Sequence, residues 1–201
     1  SGIWRCNVAI EKVGNISDDL FEPGIKNQLL GEAKYLRALH YSVLVKSFGG
    51  VPLVTKQLTP DDFSMPRASI ETMFNFLKEE LRFCAENLPL KSGTEAGRAT
   101  KGAAIHLLTN ILIFEAGVDP NHPNWEEAYN VSKQLISGQY AGEYQLLSDY
   151  GTIWMEGNGF NEETIFEIVA NDEKNDGTWY PKWIYPRAVK NGSGGFNGCW
   201  G

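Results

Sequence analysis

Residues 176–201 read DGTWYPKWIYPRAVKNGSGGFNGCWG and gather the densest set of side chains in this chain that could hold a ligand. Trp179, Tyr180, Trp183 and Tyr185 alternate with Lys182 and Arg187; Asn175 and Asp176 stand just before them, and Asn191 and Trp200 follow. A flat indole or phenol ring can stack on the apolar C–H face of a pyranose, while nearby Asn, Asp, Arg or Lys groups satisfy the hydroxyls at its rim. Asn175, Asp176, Trp179, Tyr180, Trp183, Tyr185, Arg187 and Trp200 are therefore the candidate ligand-binding residues. The stretch also carries six glycines and two prolines, which break a chain into loops and turns. Loops run over the surface and carry binding residues, so these rings form either a contact surface or a lid that closes the base of the core.

Catalytic groups are not arranged for catalysis. GRATKG (Gly97–Gly102) has the internal spacing of a phosphate loop, but Ala103 and Ala104 stand where Lys and Ser/Thr must follow. Its small residues instead suit the close approach of another helix. His40 and His106 fall on or beside apolar helix faces, and His122 in DPNHPNW has no second metal ligand at helical spacing. The pairs Glu79-Glu80, Glu126-Glu127 and Glu162-Glu163 are adjacent residues, which diverge on a helix, whereas a glycosidase needs two carboxyls about 5–10 Å apart across a cleft. Glu167 stands alone, and one acid is insufficient. Neither HExxH nor GxSxG occurs, so neither catalytic residues nor a metal or other cofactor are expected.

The chain has 201 residues, enough for one substantial domain. With 42% hydrophobic and 21% charged residues it belongs with globular proteins rather than disordered ones. A net charge of −7 and the lack of any Lys/Arg run argue against nucleic acid as a partner. Cys6, Cys84 and Cys199 are scattered and give neither a disulfide framework nor zinc spacing. No apolar run approaches the ~20 residues of a membrane-spanning helix. The opening SGIWRCNVAI lacks the charged-then-apolar pattern of a signal peptide.

The elements that must position the aromatic stretch are mostly helical. Ile3, Cys6, Ile10 and Val13 form a short stripe ending at Gly14. Ile25, Leu29, Ala33, Leu36, His40 and Val43 form a longer one that stops before Gly49-Gly50 and Pro52. Ser69 caps a third helix carrying Ile70, Met73, Leu77, Leu81, Cys84 and Leu88, closed by Pro89. A fourth runs from about Arg98 to Glu115, with Ala99, Ala103, Leu107, Ile111 and Leu112 along one side. Asn124 with Glu127 reads as a capping box opening a fifth helix over Trp125, Ala128, Val131, Leu135 and Ile136, and Gly138 ends it. Tyr144–Gly159 reads as loop and short helix, and TIFEIVA (Thr164–Ala170) as a short strand. The fold class is thus mainly α, helical hairpins stacked as in tetratricopeptide arrays, plus an irregular side with short strands. The helical-repeat part covers residues 1–142 and the loop-rich, aromatic part 143–201.

Several blocks resemble the SusD/RagB family of outer-membrane nutrient-binding lipoproteins. They are GEAKYLRALHYSVLVKSFGGVPLVT (Gly31–Thr55), GRATKGAAIHLLTNILIFEAG (Gly97–Gly117), NWEEAYNVSKQLISGQYAGEYQLLSDYGTIW and NEETIFEIV, with SMPRASIETMFNFLKEELRFCAENLP between the first two. The resemblance covers nearly the whole chain. It implies a tetratricopeptide-type fold and a non-catalytic protein, lipid-anchored on the extracellular face of the outer membrane. Such a protein captures oligosaccharide and delivers it to a SusC-like TonB-dependent transporter. It also implies that Arg37, Arg98, Gly49, Gly50 and Pro52 serve the fold and that Trp125 packs between helices. Members are usually much longer, so this chain reads as an internal fragment whose lipid anchor lies outside it. Peptide binding in the manner of RagB-like relatives, or a helical scaffold that only docks the transporter, are the alternatives.

Overall fold

The computed structural model describes residues 2–59, 62, 64–155 and 157–168. Five helices account for the bulk of them: α1 (Gly2–Gly14), α2 (Ile25–Phe48), α3 (Ile70–Asn87), α4 (Lys101–Ala116) and α5 (Asn124–Ile136). Short 3₁₀ turns lie at Asp18–Leu20, Lys91–Gly93 and Tyr150–Trp154. Residues 1–167 make one compact unit and Ile168–Gly201 a second, which beyond Ile168 lies outside the described residues.

Local chemistry sets the helix ends. The Ser69 hydroxyl accepts from the Thr72 amide and starts α3, and the Thr100 hydroxyl accepts from the Ala103 amide and starts α4. α4 therefore begins at Lys101, three residues later than periodicity suggests, because Gly97 with φ +89° turns the chain before it. α2 stops at Gly49, whose φ is +69°, and Arg67 donates to the carbonyls of Phe48 and Gly50 just beyond. The expected capping box at α5 does not form. Pro123 holds the N-cap position, Asn124 donates to Leu112 O and Glu115 Oε2, and Glu127 pairs with Arg82 instead.

Each helix packs on the one before and the one after it in the chain, which is the stack of helical hairpins that the sequence implies. Met73, Leu77, Leu81 and Cys84 of α3 meet Ala103, Ala104, Leu107, Ile111 and Leu112 of α4 in a fully buried seam. α4 is buried on several sides, as befits a helix with neighbours on both flanks. On α2, however, the buried face is Gly31, Tyr35, Ala38, Tyr41, Ser42 and Val45, not the expected apolar stripe. Leu36 is 41% and Val43 59% exposed, and His40 is also exposed. Tyrosine, glycine and serine do not register as apolar periodicity, yet here they meet the core.

A polar knot lies inside this packing. Arg37 of α2 is buried, with Nη2 and Nε 2.6 and 2.9 Å from Oε2 of Glu80 on α3, and Nη1 2.8 Å from Oδ1 of Asn7 on α1. Its Nη1 also donates to Thr55 O at 3.2 Å. Asn7 Nδ2 donates to Val54 O and Lys56 O, and the Tyr41 hydroxyl accepts from Val54 N. Arg37 thus serves the fold by tying three helices to one extended segment, and Arg98 ties helix to loop through Glu32.

Three further expectations change. Residues 164–168 form no strand; the backbone of Thr164 bonds to Asn161 and Lys91 rather than to a ladder. Trp125 is 38% exposed rather than buried between helices, and its indole N–H donates to Asp119 O. The space left by Gly102 is filled by the Tyr144 side chain, not by an approaching helix.

Candidate functional site

The eight residues singled out as ligand-binding (Asn175, Asp176, Trp179, Tyr180, Trp183, Tyr185, Arg187 and Trp200) lie outside the described residues. The described structure shows the base from which that stretch continues, residues 143–167 against α2, α4 and the 91–100 connection.

This base has almost no regular backbone structure, so its peptide groups find partners one at a time. Glu143 accepts from the Ser92 amide and hydroxyl at 3.0 and 2.8 Å, Glu163 accepts from Leu147 N at 2.9 Å, and Glu167 accepts from Phe160 N at 2.8 Å. Asn161 Oδ1 accepts from the amides of Glu163 and Thr164, and Asn158 donates to Thr152 O. The Lys91 ammonium donates to Asn161 O and Thr164 O at 2.6 and 2.8 Å. Phe160 has a φ of +56°, a left-handed backbone rare for an aromatic residue. Its ring lies over Gly97, where a Cβ would be 3.5 Å from it.

Two clefts open on this side. One, of about 130 Å³, is lined by Lys91, Glu95, Arg98, Phe160, Phe166 and Glu167 among others. The other, of about 560 Å³, is lined by the apolar Ile105, Leu135, Leu146 and Ile165 together with His106, Tyr144 and Glu163. Tyr150 and Trp154 stand out from the 3₁₀ turn at 71% and 73% exposure, their rings edge to face 6.1 Å apart. Sequence reasoning passed over this pair, although two aromatics four residues apart in a loop-rich stretch were a legible signal.

Electrostatically the side is one of fixed hydrogen bonds rather than poised acids and bases. Burial lowers the affinity of Lys91 for its proton, offset in part by the Glu167, Glu162 and Glu143 carboxylates. Burial likewise depresses the His106 imidazole, with Lys46 adding to the effect, which favours its neutral form. The carboxylates of Glu143, Glu163 and Glu167 each cap backbone amides. His122 Nδ1 accepts from the Asn124 amide. Among the described residues no group of three His, Cys, Asp or Glu side chains could hold a metal ion. The buried thiols Cys6 and Cys84 are free. What the arrangement offers a ligand is ring surface and hydrogen-bonding rims.

A stack of helical hairpins carrying an irregular, hydrogen-bonded side is a helical-repeat architecture. This chain belongs to the SusD-like family: a family model described as "Starch-binding associating with outer membrane" matches residues 1–113. Among curated relatives, a SusD-like protein of Formosa agariphila is 24% identical over 197 residues, 95% of this chain and 35% of the relative. The starch-binding protein SusD of Bacteroides thetaiotaomicron is 28% identical over 138 residues, 69% of this chain and 24% of the relative. The chain thus spans about a third or less of the length of these two relatives. Of solved structures, a SusD-like protein from Bacteroides fragilis superposes with a TM-score of 0.67 at 31% identity, covering 86% of this chain and 32% of the other. A laminarin-binding SusD-like protein superposes with a TM-score of 0.78 at 25% identity, covering 92% and 42%. Among the described residues no helix is long and apolar enough to cross a membrane.

Proposed function

We propose that this chain is part of a non-catalytic protein that binds oligosaccharide or polysaccharide at the outer-membrane surface and passes it to a SusC-like TonB-dependent transporter. The observation that carries this reading is membership, over residues 1–113, in a family described as starch-binding and associated with the outer membrane. Two features support it: the aromatic stretch with interleaved Lys, Arg, Asn and Asp, and carboxylates engaged as backbone caps on the described ligand side. In this reading the protein is lipid-anchored on the extracellular face through a segment outside the chain, and Trp179 and Trp183 provide ring faces for pyranose stacking.

The test is retention of the chain in gels containing soluble starch or laminarin, with Trp179→Ala and Trp183→Ala beside it. One ring–face contact is worth about 1 kcal/mol, so each change should weaken binding about five-fold with the helical signal intact. Release of reducing ends from either polysaccharide by repurified protein would contradict a non-catalytic role. Retention by peptide arrays but by neither polysaccharide would transfer the protein to the peptide-binding branch. A melting temperature lowered by several degrees at unchanged retention would make the rings core residues.

A further inference from the structure

Lys91 and Lys101 are each held by two peptide carbonyls beside a tyrosine ring, but on different elements. Lys101 donates to Ala85 O and Glu86 O, near the carbonyl end of α3, where a cation complements the helix dipole, and its Nζ lies 5.7 Å from the Tyr140 ring centroid. Lys78 pairs with the Glu115 carboxylate across the α3–α4 seam. The ammonium of Lys91 instead binds two peptide carbonyls of one short turn, Asn161 O and Thr164 O, that belong to no helix. The Tyr144 ring lies over it, 5.1 Å from ring centroid to Nζ, and that tyrosine is seated by Gly102 and by its contact with the Thr100 hydroxyl. Two backbone carbonyls accepting from one ammonium beside a ring face hold the turn through charge-assisted hydrogen bonds and a cation–π contact.

The turn so held has its own reasons to come apart. Phe160 sits at a φ of +56°, a conformation that persists in an aromatic residue only where the surroundings enforce it. The enforcing contacts are Glu167 on its amide, Gly97 beneath its ring and, one residue on, Lys91 on Asn161 O. Lys91 contributes the only positive charge in this set, and it joins the turn to the 3₁₀ turn that follows α3.

We propose that Lys91 is the positioning residue of the ligand-binding side: its ammonium fixes residues 158–167 on the helical stack, and with them the point from which the aromatic stretch continues. The link to ligand rests on the glycan-binding reading above; the hold on residues 158–167 does not.

The experiment compares the full chain with Lys91→Met, which keeps the stem and removes the charge, and Lys91→Arg, which keeps the charge. Two signals are read: amide hydrogen exchange by mass spectrometry, and retention by soluble starch and by laminarin. Lys91→Met should raise exchange at least ten-fold in peptides covering residues 158–168, leave peptides from α2 and α3 unchanged, and weaken retention at least five-fold. Lys91→Arg should recover part of both. A general structural role would instead raise exchange along the whole chain and leave retention intact at temperatures well below melting, which would overturn the assignment. Unchanged exchange in 158–168 would overturn it directly. Faster local exchange at full retention would separate Lys91 from the ligand side. Failure of the parent chain to bind either polysaccharide would defeat the glycan reading while the exchange comparison still decides the role of Lys91. If Lys91→Met does not fold, Lys91→Gln, which retains a donor to the two carbonyls, is measured the same way, and localised exchange is again the required result.

Discussion

Removing the charge of Arg37 puts the polar knot to its sharpest test. Arg37→Met keeps the packed stem but removes the Arg37 donors that reach Glu80, Asn7 and Thr55. The Arg37 and Glu80 side chains are 5% and 6% exposed, so the pair is desolvated, and removing one partner of a buried pair costs about 3–5 kcal/mol. Lys34 still pairs with Glu80 from a position open to water, which moves the expectation to the low end, about 3 kcal/mol. For a chain of this length each kcal/mol lowers Tm by roughly 2–4 °C, giving a fall of about 10 °C. With a urea m-value of about 3 kcal/mol/M, the midpoint should drop by about 1 M. The assay is urea unfolding followed by far-UV circular dichroism. The double variant Arg37→Met/Glu80→Leu should recover most of the loss, because a matched apolar replacement of a buried ion pair is often neutral. A loss below about 1 kcal/mol for the single variant, or a double variant worse than the single one, would refute the reasoning.

Gly50→Ala should destabilise by about 1–3 kcal/mol, because a Cβ there would overlap the carbonyl oxygen of Ala68, a backbone atom that cannot step aside. Gly49→Ala meets no such neighbour and tests only the left-handed φ, at about 1–2 kcal/mol; the two unfolding curves measured together separate steric from conformational cost. Burial, then the Glu80 charge, pushes the Cys84 thiol up to about 12 from an ordinary value of 9.0. The folded state therefore keeps a proton that the unfolded state releases, so this stability is fully present below pH 9 and is lost as pH rises toward 12. In a Cys199→Ser background, iodoacetamide should label Cys84 in urea but not in the folded chain at pH 9, and equal labelling rates would contradict its burial.

The helix ends were legible because single residues write them: Ser69 caps α3 as read, and Gly49 closes α2. The faces were less so. α2 turns Tyr35, Tyr41 and an ion-paired Arg37 inward and leaves Leu36 and Val43 outside, since hydrogen bonds to the 54–56 segment and to Glu80 outweigh what two aliphatic side chains would gain by burial. Asn124 and Glu127 have capping-box spacing, yet each finds a better partner on another helix, Asn124 with Glu115 of α4 and Glu127 with Arg82 of α3. Tyr144–Gly159 was legible as loop and short helix, as the 3₁₀ turn at Tyr150–Trp154 bears out, but the pairings of residues 143–167 were not. These residues are fixed by local side-chain bonds, as between Glu167 and the Phe160 amide, and by Lys91 and Ser92 from far along the chain, and such pairings leave no period to read. The β-branched and aromatic run at Thr164 looks like a strand, but its neighbours are Lys91 and Tyr35 rather than another strand.

The order in which the two kinds of contact span the chain bears on how the protein assembles. Helices that pack on their chain neighbours close short loops and form early, whereas contacts over long separations wait until the ends they join are held close. The bonds of Lys91 to Asn161 and Thr164 span 70 and 73 residues, and those of Asn7 to Val54 and Lys56 span 47 and 49. During synthesis from the N-terminus, the helical stack can condense while the 143–167 segment is still emerging. Residues 143–167 are then laid down on a scaffold already condensed. Errors in that step would leave the stack intact, so a misfolded population would show full helicity with residues 143–167 misplaced.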